Sequence, residues 1–382
     1  MILKVDKGNT LLVDGPARVH LLSGTASVLG ASAKTGDSII VRKGKRMPFE
    51  AIGNFNVELT LGDPASYVEM DGSSIPSSWR EAVREILSGR KHRVVLVIGG
   101  VDCGKTSFCT YLANSALNMK HRVALIDGDL GQSDVGSPGT TSLSLIREPI
   151  IDPFRLSPER LVFVGVTSPS GMVGAVLDAL RTLKGEALNA AADLVIINTD
   201  GWVEGDGAAS YKARLVEAVA PNAVVAIQGE NRELVPILDA LAGSEVLAVG
   251  SPREVKKRDR ETRKLLRESA YKKHLRGAKI RSFSSSWVEI GGDPRLDSEK
   301  EMDNDGNKSS EESAGFLQGE MEGLLIALED AHGKVLGIGT IHSLDRTRGA
   351  IRICTPVEGV VSKIRLGRIR LDREGNEIGS IV

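Results

Sequence analysis

Three patterns of apolar and polar positions follow one another along this chain. Short alternating runs at residues 11–13, 17–22, 38–41 and 57–61, separated by Gly and Asp turns, predict a small antiparallel β domain. A Ser- and Pro-containing linker comes next. Ser78 and Glu81 then form a predicted capping box for a helix that puts Trp79, Val83, Ile86 and Leu87 on one face. Beyond it the apolar runs become continuous, at residues 94–98, 123–126, 161–166, 194–198, 224–228 and 245–249, and alternate with helical stretches. Continuous runs predict strands covered on both faces, as in a doubly wound parallel sheet. β-type runs with Gly turns return at 287–290, 324–328, 335–341, 350–354 and 359–364. The predicted fold is α/β: a central doubly wound parallel-sheet domain (93–280) flanked by small β domains at 1–75 and 281–382, with a linker and helix at 76–92. Residues 293–314, with eight Asp/Glu against three Lys/Arg and almost no apolar residue, predict a disordered acidic loop inside the last domain.

The first predicted strand of the central domain runs into Gly99, Gly100, Val101, Asp102, Cys103, Gly104, Lys105 and Thr106, which fit G-x-x-x-x-G-K-[ST]. Glycines there let the backbone wrap a triphosphate with its N–H groups and a helix N-terminus, Ser107 included, pointing at it. Lys105 is expected on the β/γ-phosphates and Thr106 on magnesium. Cys103 is read as structural, although a thiol near bound phosphate is a candidate for oxidation.

Ligands in such sheets collect at the C-terminal strand ends. The second strand ends in Asp127-Gly128-Asp129-Leu130-Gly131-Gln132, and strand period puts Asp127 and Asp129 on one side. One carboxylate would fix hydrated metal and the other accept a proton from an attacking hydroxyl; the spacing does not say which does which. Thr167 and Ser168 follow the third strand, and Thr199-Asp200-Gly201-Trp202 follows the fourth. Trp202 at a strand end is suited to stack on a nucleobase, and equally to plain packing. The fifth strand ends in Gln228-Gly229-Glu230-Asn231, without the Asn-Lys-x-Asp of a guanine-specific switch.

Composition narrows the setting. The chain has 382 residues and a net charge of −1, so any basic site must be local. Three cysteines at 103, 109 and 354 show neither a disulfide framework nor metal-ligand spacing. No apolar run reaches the ~20 residues needed to span a bilayer, and the start of the chain carries no signal pattern. A soluble, cytoplasmic or otherwise intracellular protein with no membrane partner is expected. Local basic sites do occur. Lys45 and Arg46 beside Phe49 would either touch a base or sit in a solvated loop. Residues 256–276 carry ten Lys/Arg against three acids. On a helix Arg260, Arg263 and Arg267 share a face, with Arg258 off it unless the helix begins later. Such a cluster could close over a triphosphate, grip a nucleic-acid backbone, or simply be solvated. On the last domain Arg346, Arg348, Lys363, Arg365, Arg368 and Arg370 form a basic rim whose default reading is a solvated surface.

Taken in order, the phosphate loop, Asp-x-Asp-x-Gly-Gln with Ser137-Pro138-Gly139 after it, Thr167-Ser168-Pro169, Thr199-x-Gly201-Trp202 and the arginine cluster resemble the polynucleotide 5′-hydroxyl kinases. These are the RNA kinases of tRNA splicing, mRNA 3′-end processing and ribosomal RNA processing; a compact prokaryotic-type member is expected. The resemblance covers residues 90 to 280 well and the flanks only in type. It implies ATP, Mg2+ or another divalent cation, and transfer of the γ-phosphate to the 5′-hydroxyl of RNA ends, with DNA often accepted. It also implies catalytic roles for Lys105, Asp127 and Asp129, with Thr106, Asp127 and Asp129 about the metal and Asp129 the expected base. Arg258, Arg263 and Arg267 match the family's lid spacing, and Trp202 falls where the terminal base stacks. Gln132, Thr167, Ser168, Thr199 and Gly201 fall among the substrate-contacting positions.

Two alternatives stay open on the sequence: an ATP-binding scaffold of an RNA-processing complex without turnover, and a P-loop NTPase of another class. Protein partners and oligomeric state are not legible.

Overall fold

The computed structural model describes residues 1–88, 93–229, 232–241, 243–284, 286–291, 321–345 and 349–381. The predicted acidic loop at 293–314, Arg346, Arg348, Glu230 and Asn231 lie outside the described residues. The chain forms two compact units: Met1–Asp127 with Leu143–Leu156 and Leu180–Leu266, and Gly128–Ser142 with Ser157–Ala179 and Arg267–Val382.

The first unit opens with strands β1 (Ile2–Val5), β2 (Asn9–Asp14), β3 (Ala17–Ser23), β4 (Thr25–Val28), β5 (Ala31–Lys34), β6 (Ser38–Val41), β7 (Arg46–Ala51), β8 (Phe55–Leu61) and β9 (Ser66–Asp71). They make two sheets, ordered β1-β8-β3-β6 and β5-β4-β7-β2-β9, whose inward residues share one core, including Val13, Val19, Phe49 and Phe55. β7 corrects one expectation. Its residues alternate between partly buried and buried, so Phe49 is a fully buried core residue and Arg46 pairs with Asp14 at 2.8 Å. Neither lies in a solvated loop. β9 is almost wholly exposed and carries no alternating pattern to betray it.

Helix α1 (Ser77–Ser88) buries Trp79, Val83, Ile86 and Leu87, as its periodicity predicts. The predicted capping box does not form: the Ser78 hydroxyl accepts from the Gly250 N–H at 3.2 Å. The central elements are β10 (Arg93–Gly99), α2 (Lys105–Asn118), β11 (Val123–Gly128), β12 (Thr140–Ile146), β13 (Arg160–Phe163), α3 (Val173–Asn189), β14 (Leu194–Thr199), α4 (Ala208–Val219), β15 (Ala223–Gln228), α5 (Val235–Ala240), β16 (Val246–Gly250) and α6 (Arg260–His274).

Within the first unit the central sheet runs β12-β11-β14-β10-β15-β16. β10 pairs in parallel with β14 and β15, and β15 in parallel with β16. β12 was not legible as a strand. Its sequence, TTSLSLI, hides a nearly fully buried strand behind small hydroxyl side chains.

In the second unit the expected strand at 161–166 ends early, at Phe163. Gly165 takes φ +83°, and the Val164 and Gly165 N–H groups both donate to the Gly139 carbonyl. The unit's main sheet comprises β17 (Lys279–Ser284), β18 (Glu289–Gly291), β19 (Leu324–Glu329), β20 (Val335–Asp345), β21 (Ala350–Thr355), β22 (Lys363–Leu371) and β23 (Glu377–Ser380). Its order is β17-β21-β20-β19-β22-β18, with β23 on β22. Buried β19 feeds two cores by simple alternation: Leu324, Ile326 and Leu328 on one side, Leu325 and Ala327 with Phe163 and Tyr271 on the other. The basic rim is largely paired. Lys363 meets Glu289 at 2.6 Å, Arg365 meets Glu329 at 3.5 Å, and Arg370 donates to the Glu322 carbonyl. The architecture is therefore α/β, a central sheet with additional β sheets toward both termini.

Candidate active site

The phosphate loop is built on a close approach and a backbone conformation that its glycines permit. β10 delivers Gly99, where an added Cβ would lie 2.5 Å from Cys103 Sγ and 2.8 Å from the Ile227 carbonyl oxygen. Gly104 stands at φ +101°, which glycine adopts at no steric cost, and α2 begins at the next residue. Lys105 is buried, and its Nζ donates to the carbonyls of Gly99 at 3.0 Å and Gly100 at 2.7 Å. Ser251 Oγ donates to the Cys103 carbonyl at 3.0 Å. Trp79 of α1 packs edge-on against Phe108, and its indole N–H donates to the Gly250 carbonyl. Thr106 and Ser107 occupy the first turn of α2, both partly buried. Burial pushes the Cys103 thiol above its ordinary pKa, against the pull of the nearby Lys105 ammonium. With little thiolate, it is a poor oxidation target.

Asp127, at the end of β11, is buried, and its carboxylate accepts from the Asn198 amide at 3.1 Å. Thr199 Oγ1 donates to the Val97 carbonyl at 2.8 Å, tying β14 to the strand that carries the loop. Immediately beyond, an added Cβ on Gly201 would lie 2.6 Å from Val101 Cγ2 and 3.0 Å from its backbone N. The Thr-x-Gly-Trp turn is thus pressed directly onto the phosphate loop. Trp202 stacks on Tyr211, and its backbone N–H donates to Asp200 at 2.9 Å. Asp200 also accepts from the Tyr211 hydroxyl at 2.7 Å and from Lys212 Nζ at 3.0 Å, all buried. Sequence reasoning missed Tyr211 and Lys212; their only signal was a Tyr-Lys pair nine residues past a strand-end tryptophan.

The arginine cluster divides. α6 starts at Arg260, so Arg258 precedes the helix, yet it and Arg263 converge on Asp102 of the loop. In the second unit, Arg267 makes two bonds to Glu377, at 2.7 and 3.0 Å. There too Asp129 closes a turn, its Oδ1 accepting from the N–H groups of Gly131 at 3.1 Å and Gln132 at 2.9 Å. Gln132 Nε2 donates to the Gly131 carbonyl, an added Cβ on Gly131 would meet the Thr167 carbonyl oxygen at 2.8 Å, and Ser168 Oγ accepts from Ser170 N at 3.4 Å. Among the described residues no helix is long and apolar enough to cross a membrane.

The sequence and the fold both match known proteins. The family model described as the P-loop of mRNA cleavage and polyadenylation factor CLP1 matches residues 99–277. A polyribonucleotide 5′-hydroxyl-kinase of Thermococcus kodakarensis is 31% identical over 340 residues, spanning 80% of this chain and 95% of the relative. One from Pyrococcus abyssi is 30% identical over 352 residues, spanning 82% and 98%. Clp1p, solved in a complex with Pcf11p, superposes with a TM-score of 0.76 over 97% of both chains at 15% identity, a likeness of fold. With that identity sustained over nearly the full length of the archaeal relatives, the chain belongs to the polyribonucleotide 5′-hydroxyl-kinase family.

Proposed function

We propose that this chain is an ATP-dependent polynucleotide 5′-hydroxyl-kinase that transfers the γ-phosphate of ATP to the 5′-hydroxyl of RNA ends, with DNA ends as further acceptors. One observation carries the reading: the turn that presents Trp202 is seated on the phosphate loop, Gly201 against Val101. A nucleobase stacked on Trp202 would therefore bring its 5′ end to the loop that holds the donor. A small-metabolite kinase or a nucleotide switch has no need of such an aromatic platform.

In this reading the backbone of Gly99–Thr106 and Ser107 cradles the phosphates, and Lys105 exchanges its carbonyl partners for β/γ-phosphate oxygens. Asp129 takes the proton of the attacking hydroxyl. The resemblance assigns acceptor contacts to Gln132, Thr167, Ser168 and Thr199, and lid roles to Arg258, Arg263 and Arg267. The kinase domain is residues 93–280, between β domains 1–75 and 281–382.

Magnesium fits the donors. Among the described residues no group of three His, Cys, Asp or Glu side chains makes a metal cage. Magnesium in phosphoryl-transfer sites characteristically takes only one or two protein oxygens, the rest being phosphate and water. The Thr106 hydroxyl and the Asp127 carboxylate, which Asn198 orients, suit that role. When bound, the ion supplies charge neutralisation of the phosphates. The test uses γ-labelled ATP with matched oligonucleotides ending in a 5′-hydroxyl or a 5′-phosphate. Label should enter only the hydroxyl-ended strand; ATP retention with no label on either would support a scaffold instead.

A further inference from the structure

The phosphate-loop motif leaves four positions unspecified, and one of them, Asp102, ties the loop to the lid. Its backbone stands at φ +56°, a region that Asp and Asn tolerate better than other side chains. Its carboxylate is almost fully buried and is shared between two arginines. Oδ1 accepts from Arg258 Nη1 at 2.9 Å, and Oδ2 accepts from Arg263 Nη2 at 3.2 Å. Oδ2 also accepts from the backbone N–H of Arg258 at 2.9 Å, and Arg258 Nε donates to the Gly44 carbonyl at 3.0 Å. Arg258 is therefore fixed through its backbone, one guanidinium nitrogen and its Nε. Arg263 reaches the same carboxylate from the first turn of α6, with a side chain 36% exposed. A buried carboxylate between two guanidinia is compensated in charge; without it two cations would face each other unneutralised.

We infer that Asp102 is a positioning residue for phosphoryl transfer, one that sets where the lid arginines stand relative to the phosphate loop. Arg258 is the fixed strut, and Arg263, with the more exposed side chain and the longer bond, is the arginine that turns toward the transferred phosphate. The inference rests on the kinase reading for its catalytic consequence, but its structural half stands apart from it. Because φ +56° suits Asn as well as Asp, Asp102→Asn removes the charge and one acceptor without straining the loop.

The decisive comparison sets wild type beside D102N, R258Q and the double variant. Three readouts are taken: amide hydrogen exchange over 255–266, affinity for a fluorescent ATP analogue, and kcat with a 5′-hydroxyl oligonucleotide. D102N should speed exchange in that segment and leave nucleotide affinity within a few-fold. It should lower kcat by ~10- to 100-fold, the size expected when a catalytic group is displaced by about an ångström. Because Asp102 and Arg258 act as one unit in placing the lid, the loss in the double variant should fall well short of the product of the two single losses. Unchanged exchange in D102N, or a kcat loss that merely follows nucleotide affinity, would overturn the proposal, as would independent, additive effects of the two substitutions. If wild type itself transfers no phosphate, the kinase reading fails, and exchange still decides whether Asp102 holds the lid.

Discussion

The indole of Trp202 lies on the ring of Tyr211, with centroids 5.3 Å apart and planes inclined by 22°. A base on Trp202 would therefore lengthen an aromatic stack that the protein has already begun. Stacking on such a platform is worth about 1–3 kcal/mol per base. Trp202→Ala should raise the KM for a 5′-hydroxyl oligonucleotide by roughly 5- to 150-fold while leaving ATP affinity intact. Steady-state kinetics with the oligonucleotide varied, beside equilibrium nucleotide binding, check it; an unchanged KM would remove Trp202 from the acceptor site.

Beneath that stack lies a buried ion pair. Lys212 is fully buried and meets Asp200 at 3.0 Å, while Asp200 also receives the Tyr211 hydroxyl and the Trp202 backbone N–H. Lys212→Met strands a buried carboxylate, which typically costs about 3–5 kcal/mol. A double variant with Asp200→Asn should recover part of that loss. Chemical denaturation of the three proteins measures it, and equal stability of wild type and Lys212→Met would show that the pair carries nothing.

Asp127 is aimed by Asn198, at 3.1 Å. Asn198→Ala should leave nucleotide binding in EDTA unaffected but raise the magnesium concentration needed for half-maximal transfer by ~10-fold or more, as loss of an orienting partner does. A magnesium titration reads this directly.

His274 makes stability depend on acid pH. Burial, with the Lys273 ammonium beside it, pushes its pKa down from the ordinary 6.5 to about 4, although the Val135 and Gly136 backbone contacts pull the other way. The folded chain thus resists a proton that the unfolded chain accepts. This group's contribution is complete above pH 6.5 and is lost as pH falls from there toward 4. The loss amounts to roughly 3 kcal/mol at full extent. The melting temperature of a His274→Gln variant should fall less steeply than that of wild type across this window, and parallel slopes would contradict the assignment.

How much of this was legible from sequence follows from what each residue reveals alone. β10, β14 and β15 announce themselves as continuous apolar runs, and the loop after β10 by its glycines, Lys105 and Thr106. β12 does not, because buried Ser and Thr count as polar in any pattern. β22 was legible only in part, because its arginines alternate with Ile364, Leu366, Ile369 and Leu371 and read as a charged rim. Partnerships were the least visible. Asp102 is an unspecified letter in the motif, and only the folded chain brings it to Arg258, 156 positions away. Likewise, Gly201 reads as a turn residue until Val101 is seen against it.

The central claim is that the loop carrying Lys105 donates a phosphate to a polynucleotide 5′ end. The most direct measurement incubates γ-labelled ATP, magnesium and a 5′-hydroxyl RNA oligonucleotide with wild type or with Lys105→Ala. The account predicts label on the 5′ end of the RNA with wild type and a loss of at least ~100-fold in the variant. RNA left unlabelled by wild type, or labelled equally well by Lys105→Ala, would contradict it.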